Sequence, residues 1–264
     1  PIESEEFEQG EYQPAEGTEV PKADLFELSV DDQGKGFDKS PMANPVITSE
    51  NTPVPFYDSD YQLTGAKFNR ERSQYYEIDY STNEKIKDAL TGSFTMEAFF
   101  LCSEVTGEPQ SPMSSQQGVG GTGFWMDGGG KFHFYGGHNG QWYDLVSTKS
   151  IQPGKYYHAV ATYDGSVMKL YLNGYPAGEL ATEEPLTLPQ EGSHYLVAGG
   201  DVAANAVVQC DAPLNGYLLV SRLYSRAITR DEDYVLYKDV IKNLVEQGDD
   251  GEIADEAPVA DLFN

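Results

Sequence analysis

The stretch that decides the fold is Gly154-Lys-Tyr-Tyr-His-Ala-Val-Ala-Thr-Tyr-Asp-Gly-Ser-Val-Met-Lys-Leu-Tyr-Leu-Asn-Gly174. Residues 156–163 are rich in aromatic and β-favouring side chains, and residues 168–172 alternate around two leucines. Asp164-Gly165 lies between these runs, and this dipeptide is a strong hairpin signal because glycine tolerates positive φ at low cost. The stretch therefore predicts two antiparallel strands joined by a tight turn.

Three further segments carry strand patterns before and after this hairpin. They are residues 94–100, 123–135 and 215–229. Together with the hairpin, and in this order, they resemble the strands of laminin G-like domains of the concanavalin A-like lectin and glucanase group. The resemblance covers residues 22–245 and implies an all-β fold, a two-sheet antiparallel jelly-roll sandwich that usually binds rather than catalyses. Tyr156 stands where that family most often has Trp, which keeps a large aromatic side chain.

The period of the apolar residues changes from strand to helix after Arg230. Apolar side chains between Tyr234 and Val245 recur at i, i+3 and i+4 spacings and form one stripe. Thr229 followed by acidic residues is typical of a helix start. The sequence thus predicts a C-terminal α-helix over residues 230–245 that packs on the sandwich.

Composition divides the chain into three parts. Residues 1–21 are acidic and poor in apolar side chains, which predicts a disordered leader. Residues 22–247 hold the jelly-roll domain. Residues 248–264 read as an acidic linker and the start of a following module, because residues 258–263 nearly repeat residues 21–26. Chance is the alternative explanation of that repeat.

Charge and hydropathy limit the partners. The chain of 264 residues has a formal net charge of −26, so bulk electrostatics disfavour nucleic acid and anionic membranes. No apolar run approaches the ~18 residues of a membrane span. The sequence opens at Pro1 without an initiator Met or a signal peptide, which indicates a trimmed chain and suits a removed export signal.

A subset of the same modules stands ahead of calcineurin-like metallophosphoesterase domains in bacterial surface proteins. Residues 23–26, 38–44, 120–124 and 156–158 resemble that subset. The phosphoesterase signatures Gly-Asp-x-His and Gly-Asn-His-Glu are absent from the sequence. The resemblance implies a bacterial, multidomain protein that is secreted, cell-surface or periplasmic, with covalently linked neighbouring domains and any such enzyme outside this chain.

Catalytic patterns are incomplete in this sequence. Glucanases of the same fold carry Glu-x-Asp-x-x-Glu on one strand, which sets nucleophile and acid about 5 Å apart. The closest match, Glu77-Ile-Asp79-Tyr-Ser-Thr82, lacks the final acid. The four histidines show no zinc-ligand spacing, and no nucleophile elbow or phosphate loop occurs. We expect no catalytic residues here, and a glycoside hydrolase is the alternative.

A binding surface is the positive candidate. Strand alternation places Trp125, His133 and Tyr135 together on the non-core face of one hairpin, and the next segment adds Trp142 and Tyr143. Flat aromatic rings suit the faces of sugars, so these five residues predict a lectin-like carbohydrate-binding site for a glycan or polysaccharide. The alternative is that the rings only cover a loop or pack under the helix. The chain would then be a structural spacer or protein-docking domain of a larger surface enzyme, such as a metallophosphoesterase.

Metal and cysteine chemistry stay open at this level. Several families with this fold bind calcium, and Asp38, Asn44 and Asp201 are the candidate ligands, although the proposed binding requires no cofactor. Cys102 and Cys210 fall next to strands that are neighbours in the resembling family. They either bridge or remain separate buried thiols. Residues 104–121, rich in Ser, Gly, Gln and Pro, predict a long mobile loop.

Overall fold

Two antiparallel sheets face each other and enclose the main hydrophobic core, which confirms the predicted jelly-roll sandwich. The structure is a computed structural model, and it describes residues 12–105, 107–203 and 210–247. The predicted C-terminal helix is present as well.

The larger sheet has nine strands within the described residues. With all strands numbered in chain order, its members are β1 (Phe26–Val30), β2 (Gly36–Asp38), β4 (Val54–Asp58), β5 (Leu63–Phe68), β7 (Phe94–Cys102), β12 (Tyr156–Tyr163), β13 (Val167–Leu172), β14 (Tyr175–Ala181) and β16 (Gly216–Tyr224). The main path runs β14-β13-β12-β7-β16-β1-β2, while β5 pairs with β16 and β4 pairs with β5.

The smaller sheet has seven described strands in the order β11-β10-β9-β8-β15-β6-β3. Its members are β3 (Val46–Thr48), β6 (Tyr76–Asp79), β8 (Met113–Gln117), β9 (Gly120–Met126), β10 (Lys131–His138), β11 (Gln141–Ser150) and β15 (Tyr195–Ala198). The described helices are a short 3-10 helix (Arg70–Arg72), α1 (Glu84–Thr91), α2 (Arg230–Val240) and α3 (Lys242–Gln247). None of them combines the length and the apolarity that a bilayer crossing requires.

The hairpin that decides the fold forms as the sequence predicts. Tyr163 and Met168 are the last register pair of β12 and β13 before the turn. Asp164 Oδ1 accepts the backbone N–H groups of Ser166 and Val167, each at 2.9 Å. Gly165 has a φ of +96°, a backbone conformation that residues with side chains rarely adopt. These hydrogen bonds hold the turn and thereby the register in which β12 pairs with β13.

Strand β7 is buried along its whole length. One face, including Phe94 and Phe100, lies in the core between the sheets. The other face, including Phe99 and Leu101, packs in a second cluster with Val240 of α2. Because both faces are covered, β7 reads in the sequence as a nearly continuous apolar run.

Helix α2 begins with a capping box. Thr229 Oγ1 accepts the Glu232 N–H at 3.2 Å, and the Glu232 carboxylate accepts the Thr229 N–H at 2.8 Å. The predicted single helix over residues 230–245 is instead interrupted at Ile241, which has non-helical backbone angles and lies buried in the second cluster. Asn243 then donates to the Tyr61 carbonyl at 3.0 Å, which directs α3 along the sandwich.

A polar network lies buried beneath α2. The fully buried Glu97 accepts hydrogen bonds from His158 Nε2 at 2.9 Å, from Arg222 and from the Tyr224 hydroxyl. Burial alone would raise the pKa of Glu97, but Arg222 first, then His158 and Tyr224, outweigh it and hold that pKa at about 2. Tyr237 of α2 stacks on His158 at 5.9 Å between centroids.

Two segments that the sequence predicts to be a disordered leader and a mobile loop make defined contacts or strands in the residues that the structure describes. Within the predicted leader of residues 1–21, the ring of Tyr12 lies 4.0 Å from the Arg230 guanidinium and 5.3 Å from the Tyr234 ring. Residues 1–11 and 248–264 lie outside the described residues, so the leader's start and the predicted following module stay predictions. The predicted loop over residues 104–121 contains β8 and the start of β9.

Both cysteines are free and buried, although β7 and β16 are neighbours as the resemblance implies. Cys102 belongs to the core between the sheets, while Cys210 packs with Val197 and Val202 in a separate cluster. Separate thiols are therefore the observed arrangement.

Removing the charge of Glu97 should destabilise the domain strongly. Glu97→Gln leaves Arg222 with only the part-exposed Glu27 as counter-charge, and breaking a buried pair completely costs about 3–5 kcal/mol, which sets the upper limit of the loss. Urea unfolding at neutral pH measures this loss. Glu179→Gln is the control, because Glu179 forms an exposed pair with Lys169 and should cost less than about 1 kcal/mol. Equal losses in both variants would contradict the role of the network.

The same network predicts an acid dependence. The folded pKa of Glu97 is about 2, below its ordinary value of 4.5. Its contribution to the free energy of unfolding is therefore fully present above pH 4.5 and is lost as pH falls through about 2. Unfolding measured between pH 5 and pH 2 should show this component in the native chain and lack it in Glu97→Gln.

The two thiols should resist modification in the folded protein. Burial raises the pKa of Cys102 and of Cys210 to about 12, so little reactive thiolate exists at neutral pH. Iodoacetamide should leave the native mass unchanged and add two groups after unfolding without reductant. A requirement for reductant would reveal a disulfide and contradict the separate arrangement.

Candidate functional site

The outer face of the β9–β10 hairpin carries an aromatic cluster. The register pairs His133 with Trp125 and Tyr135 with Gly123. The alternate side chains Phe124, Phe132 and Phe134 are fully buried in the core. The structure therefore places Trp125, His133 and Tyr135 on one non-core face, as the alternation predicts.

Tyr135 is the hub of this cluster. Its ring stacks on His133 at 5.3 Å with an interplanar angle of 6°. It also makes edge contacts with Trp125 at 6.4 Å and with Trp142 at 5.8 Å. Such contacts restrict the rings, so the two indoles are held in place before any ligand arrives.

One carboxylate fixes the imidazole beneath the hub by a hydrogen bond, and a second lies near it. His133 Nδ1 donates to Asp144 Oδ1 at 2.7 Å, and its Nε2 lies 3.7 Å from Asp127 Oδ2. Burial acts to raise the pKa of Asp127, but backbone N–H bonds from Lys131 and Gly129 and the nearby His133 outweigh it and lower that pKa. The ring of His133 is thus oriented by charged acceptors and supports the Tyr135 stack.

A cavity of about 350 Å³ opens beside the indoles. Trp125 and Trp142 line one part of it, and Gln116, Asp201 and Asp211 line another. Trp142 is 37% exposed, so its ring is accessible from solvent. The volume falls within the range of small-ligand sites and suits one or two sugar rings.

The polar wall of the cavity comes from a distant part of the chain. Asp201 and Asp211 form an isolated antiparallel bridge. The Asp201 carboxylate accepts Gln116 Nε2 and the Val202 N–H, each at 2.7 Å. Burial raises the pKa of Asp201 to about 7 against these hydrogen bonds. Asp201 is a structural acceptor that ties this wall to β8.

Tyr143 does not join the other four predicted site residues. It follows Trp142 on β11, and successive strand residues point to opposite faces. Its ring stacks on His138 at 3.7 Å, and its hydroxyl accepts the backbone N–H of Glu184 at 2.8 Å. Tyr143 therefore anchors a neighbouring segment.

Of the three predicted calcium ligands, Asp38 and Asn44 lie together, whereas Asp201 belongs to a different network. Asp38 accepts Asn44 Nδ2 at 2.7 Å, the Ser40 hydroxyl at 3.0 Å and the Glu27 N–H at 2.9 Å. These bonds use the carboxylate to close a loop, while Asp201 belongs to the separate network at β8. Across the described residues, no group of three or more His, Cys, Asp and Glu side chains could hold a metal ion.

The partial glycosidase pattern lies on β6. Glu77 and Asp79 are alternate residues of that strand, whereas Thr82 comes after the strand has ended. Burial first and Asp79 second raise the pKa of Glu77 to about 7. The pattern thus supplies a perturbed carboxyl but no third carboxyl at the motif's last position.

Sequence reasoning missed Gln116 and Asp211. Gln116 lies in the segment predicted to be a loop, and nothing in its surroundings alternates between apolar and polar. Asp211 reaches the cavity only through its bridge to Asp201, a pairing that no local pattern predicts.

Comparisons with known proteins agree with this architecture. A family model described as the concanavalin A-like lectin/glucanases superfamily matches residues 73–232, more than half of the chain. No curated protein matches the sequence significantly.

Solved structures share the fold at low identity. The binding domain of Botulinum neurotoxin DC in complex with rat synaptotagmin II has a TM-score of 0.63 at 10% identity, covering 83% of this chain and 52% of that one. The same domain in complex with SialylT has a TM-score of 0.62 at 11% identity, covering 83% and 52%. The binding domain of Paraclostridial Mosquitocidal Protein 1 has 0.63 at 13%, covering 82% and 52%. The chain spans about half the length of these structures.

Removing the carboxylate that accepts a hydrogen bond from His133 should lower the free energy of unfolding. Asp144→Ala leaves a buried imidazole N–H without its acceptor, which costs about 1–3 kcal/mol. Urea unfolding followed by tryptophan fluorescence measures it, because both tryptophans of the chain lie at this site. Asp32→Ala, at an exposed turn, is the control and should stay within about 0.5 kcal/mol. An Asp144→Ala result as small as the control would contradict the supporting role.

Proposed function

We propose that this chain, which belongs to the concanavalin A-like lectin/glucanase superfamily, is a non-catalytic carbohydrate-binding module. In this proposal it is part of a secreted or surface-attached bacterial protein and is covalently linked to further domains. The binding requires no cofactor. Similar solved structures are complexes of a binding domain with rat synaptotagmin II and with SialylT, which supports a binding role for this fold.

The observation that carries the proposal is the placement of both tryptophans on one cavity. Trp125 and Trp142 line it, and Tyr135 holds both indoles from behind. Sugars present apolar C–H faces together with hydroxyl groups, so flat rings beside polar acceptors suit them. A spacer domain does not require an exposed indole, Trp142, and a half-buried one, Trp125, beside a concave wall.

Catalysis by this chain has weaker support. Retaining glycosidases need two carboxyl groups about 5–5.5 Å apart across the bond that is cleaved. Glu77 and Asp79 are neighbours on the outer face of β6, but Thr82 occupies the motif's acid position. The aromatic cavity is lined from β8, β9 and β11, and neither Glu77 nor Asp79 is among its lining residues.

The proposal predicts loss of glycan binding when the indoles are removed. A glycan array identifies a binding sugar for the native chain, and titration calorimetry then measures its Kd. Trp125→Ala and Trp142→Ala should each weaken that Kd about tenfold or more, because each deletes an aromatic contact with the sugar. Quenching of the two native tryptophans by ligand provides an independent readout.

Tyr57→Ala is the matched control. Tyr57 is 58% exposed and lies on β4 of the larger sheet, so its removal should leave the Kd unchanged. A native chain that binds nothing on the array would contradict the proposal and favour the spacer or protein-docking alternative. Hydrolysis of a bound oligosaccharide that Glu77→Gln abolishes would instead favour an enzyme.

A further inference from the structure

The cavity beside the indoles has an acidic wall. Asp201 and Asp211 line it, and Asp127 and Asp144 hold the adjacent His133. Among the lining residues that the structure describes, none is Lys or Arg. Burial raises the pKa of Asp201 to about 7, so its charge is only partial at neutral pH. The exposed Asp211 is therefore the main negative charge of the described wall.

The hydrogen-bond donors of the wall are largely used within the protein. Gln116 Nε2 donates to Asp201, and Gln117 Nε2 donates to the Val202 carbonyl at 2.9 Å. Among the described residues, no donor reaches the exposed carboxylate of Asp211. An ionised carboxylate only accepts hydrogen bonds. Apart from the indole N–H groups of the two tryptophans, what the described wall offers to a ligand is thus mainly the acceptor oxygens of Asp211.

An acceptor-rich, negatively charged wall discriminates between classes of sugar. Hydroxyl groups of an uncharged sugar can donate to Asp211 while a C–H face lies on an indole. The carboxylate of a sugar acid has no proton to donate to Asp211. It also brings a second negative charge close to Asp211 in a partly desolvated cavity, which disfavours binding. Lys131, which lies on β10 two residues before His133, is not among the residues that line the cavity.

Resting on the proposed carbohydrate binding, we infer that the cavity between Trp125 and Trp142 selects uncharged sugar residues through their hydroxyl donors and rejects sialic and uronic acids. Trp125 and Trp142 supply the apolar platform. Asp211 supplies the acceptor and the repulsion, and Asp201 holds the wall in place through Gln116.

The test uses matched ligand pairs that differ by one carboxylate. Lactose is compared with 3′-sialyllactose, and galacto-oligosaccharides are compared with the galacturonic acid oligomers of the same linkage, together with any sugar that the array identifies. For each pair that binds, the uncharged member should bind at least about fivefold more tightly at low salt. Raising the salt concentration to 1 M should reduce the ratio of the two Kd values and leave the Kd of the uncharged sugar unchanged, because salt screens the charge repulsion only.

Asp211→Asn isolates the repulsion. It keeps an acceptor oxygen and removes the charge, so the gap within each pair should shrink, whereas Glu179→Gln, an exposed change on β14, should leave the gap unaltered. A sugar acid that binds as tightly as its uncharged partner, and loses that binding in Trp142→Ala, would overturn the inference while the proposed function stands. Absence of binding to every sugar of either class would overturn the proposed function itself.

Discussion

The carboxylate of Glu97 is the constraint on which the arrangement of the larger sheet depends. It lies fully buried in the middle of β7, and an unpaired charge in such a place costs several kcal/mol. Arg222 from β16 and His158 from β12 supply the compensation from the two flanking strands. The register of β7 with both neighbours is therefore tied to one acid, and these polar groups require a cover. Helix α2 supplies it, with Tyr237 stacked on His158.

The candidate site lies on the other sheet. Helix α2 covers the outer face of the larger sheet. The exposed indole of Trp142 lies on the outer face of the smaller sheet. Behind Trp125 and Tyr135, the fully buried Phe124 and Phe134 belong to the core between the sheets. The aromatic cluster is thus built directly on packed strands, and sites on strands are held more precisely than sites on loops.

The sequence predicted what depends on short-range periodicity. The Asp164-Gly165 turn, the helix after Thr229 and the shared face of Trp125, His133 and Tyr135 each follow from alternation or capping within a few residues. Tyr143 failed to join its predicted neighbours because adjacent strand residues face opposite ways, which the same rule could have indicated. The sequence did not predict β8, because side chains on it such as Gln116 form hydrogen bonds with Asp201, which is distant in the chain.

The two halves of the candidate site therefore differ in how they are specified. The indole platform comes from consecutive strands whose core side chains fix it, so altering it also risks the packing of the sandwich. The polar wall is attached through the Asp201–Asp211 bridge and the Gln116 bond, outside that core. Within the wall, the exposed Asp211 can change with little effect on folding, because surface substitutions usually cost within about 0.5 kcal/mol, whereas the buried Asp201 is held by its hydrogen bonds. Solved structures at 10–13% identity share the fold, so the packed strands that support the indole platform form from widely different sequences.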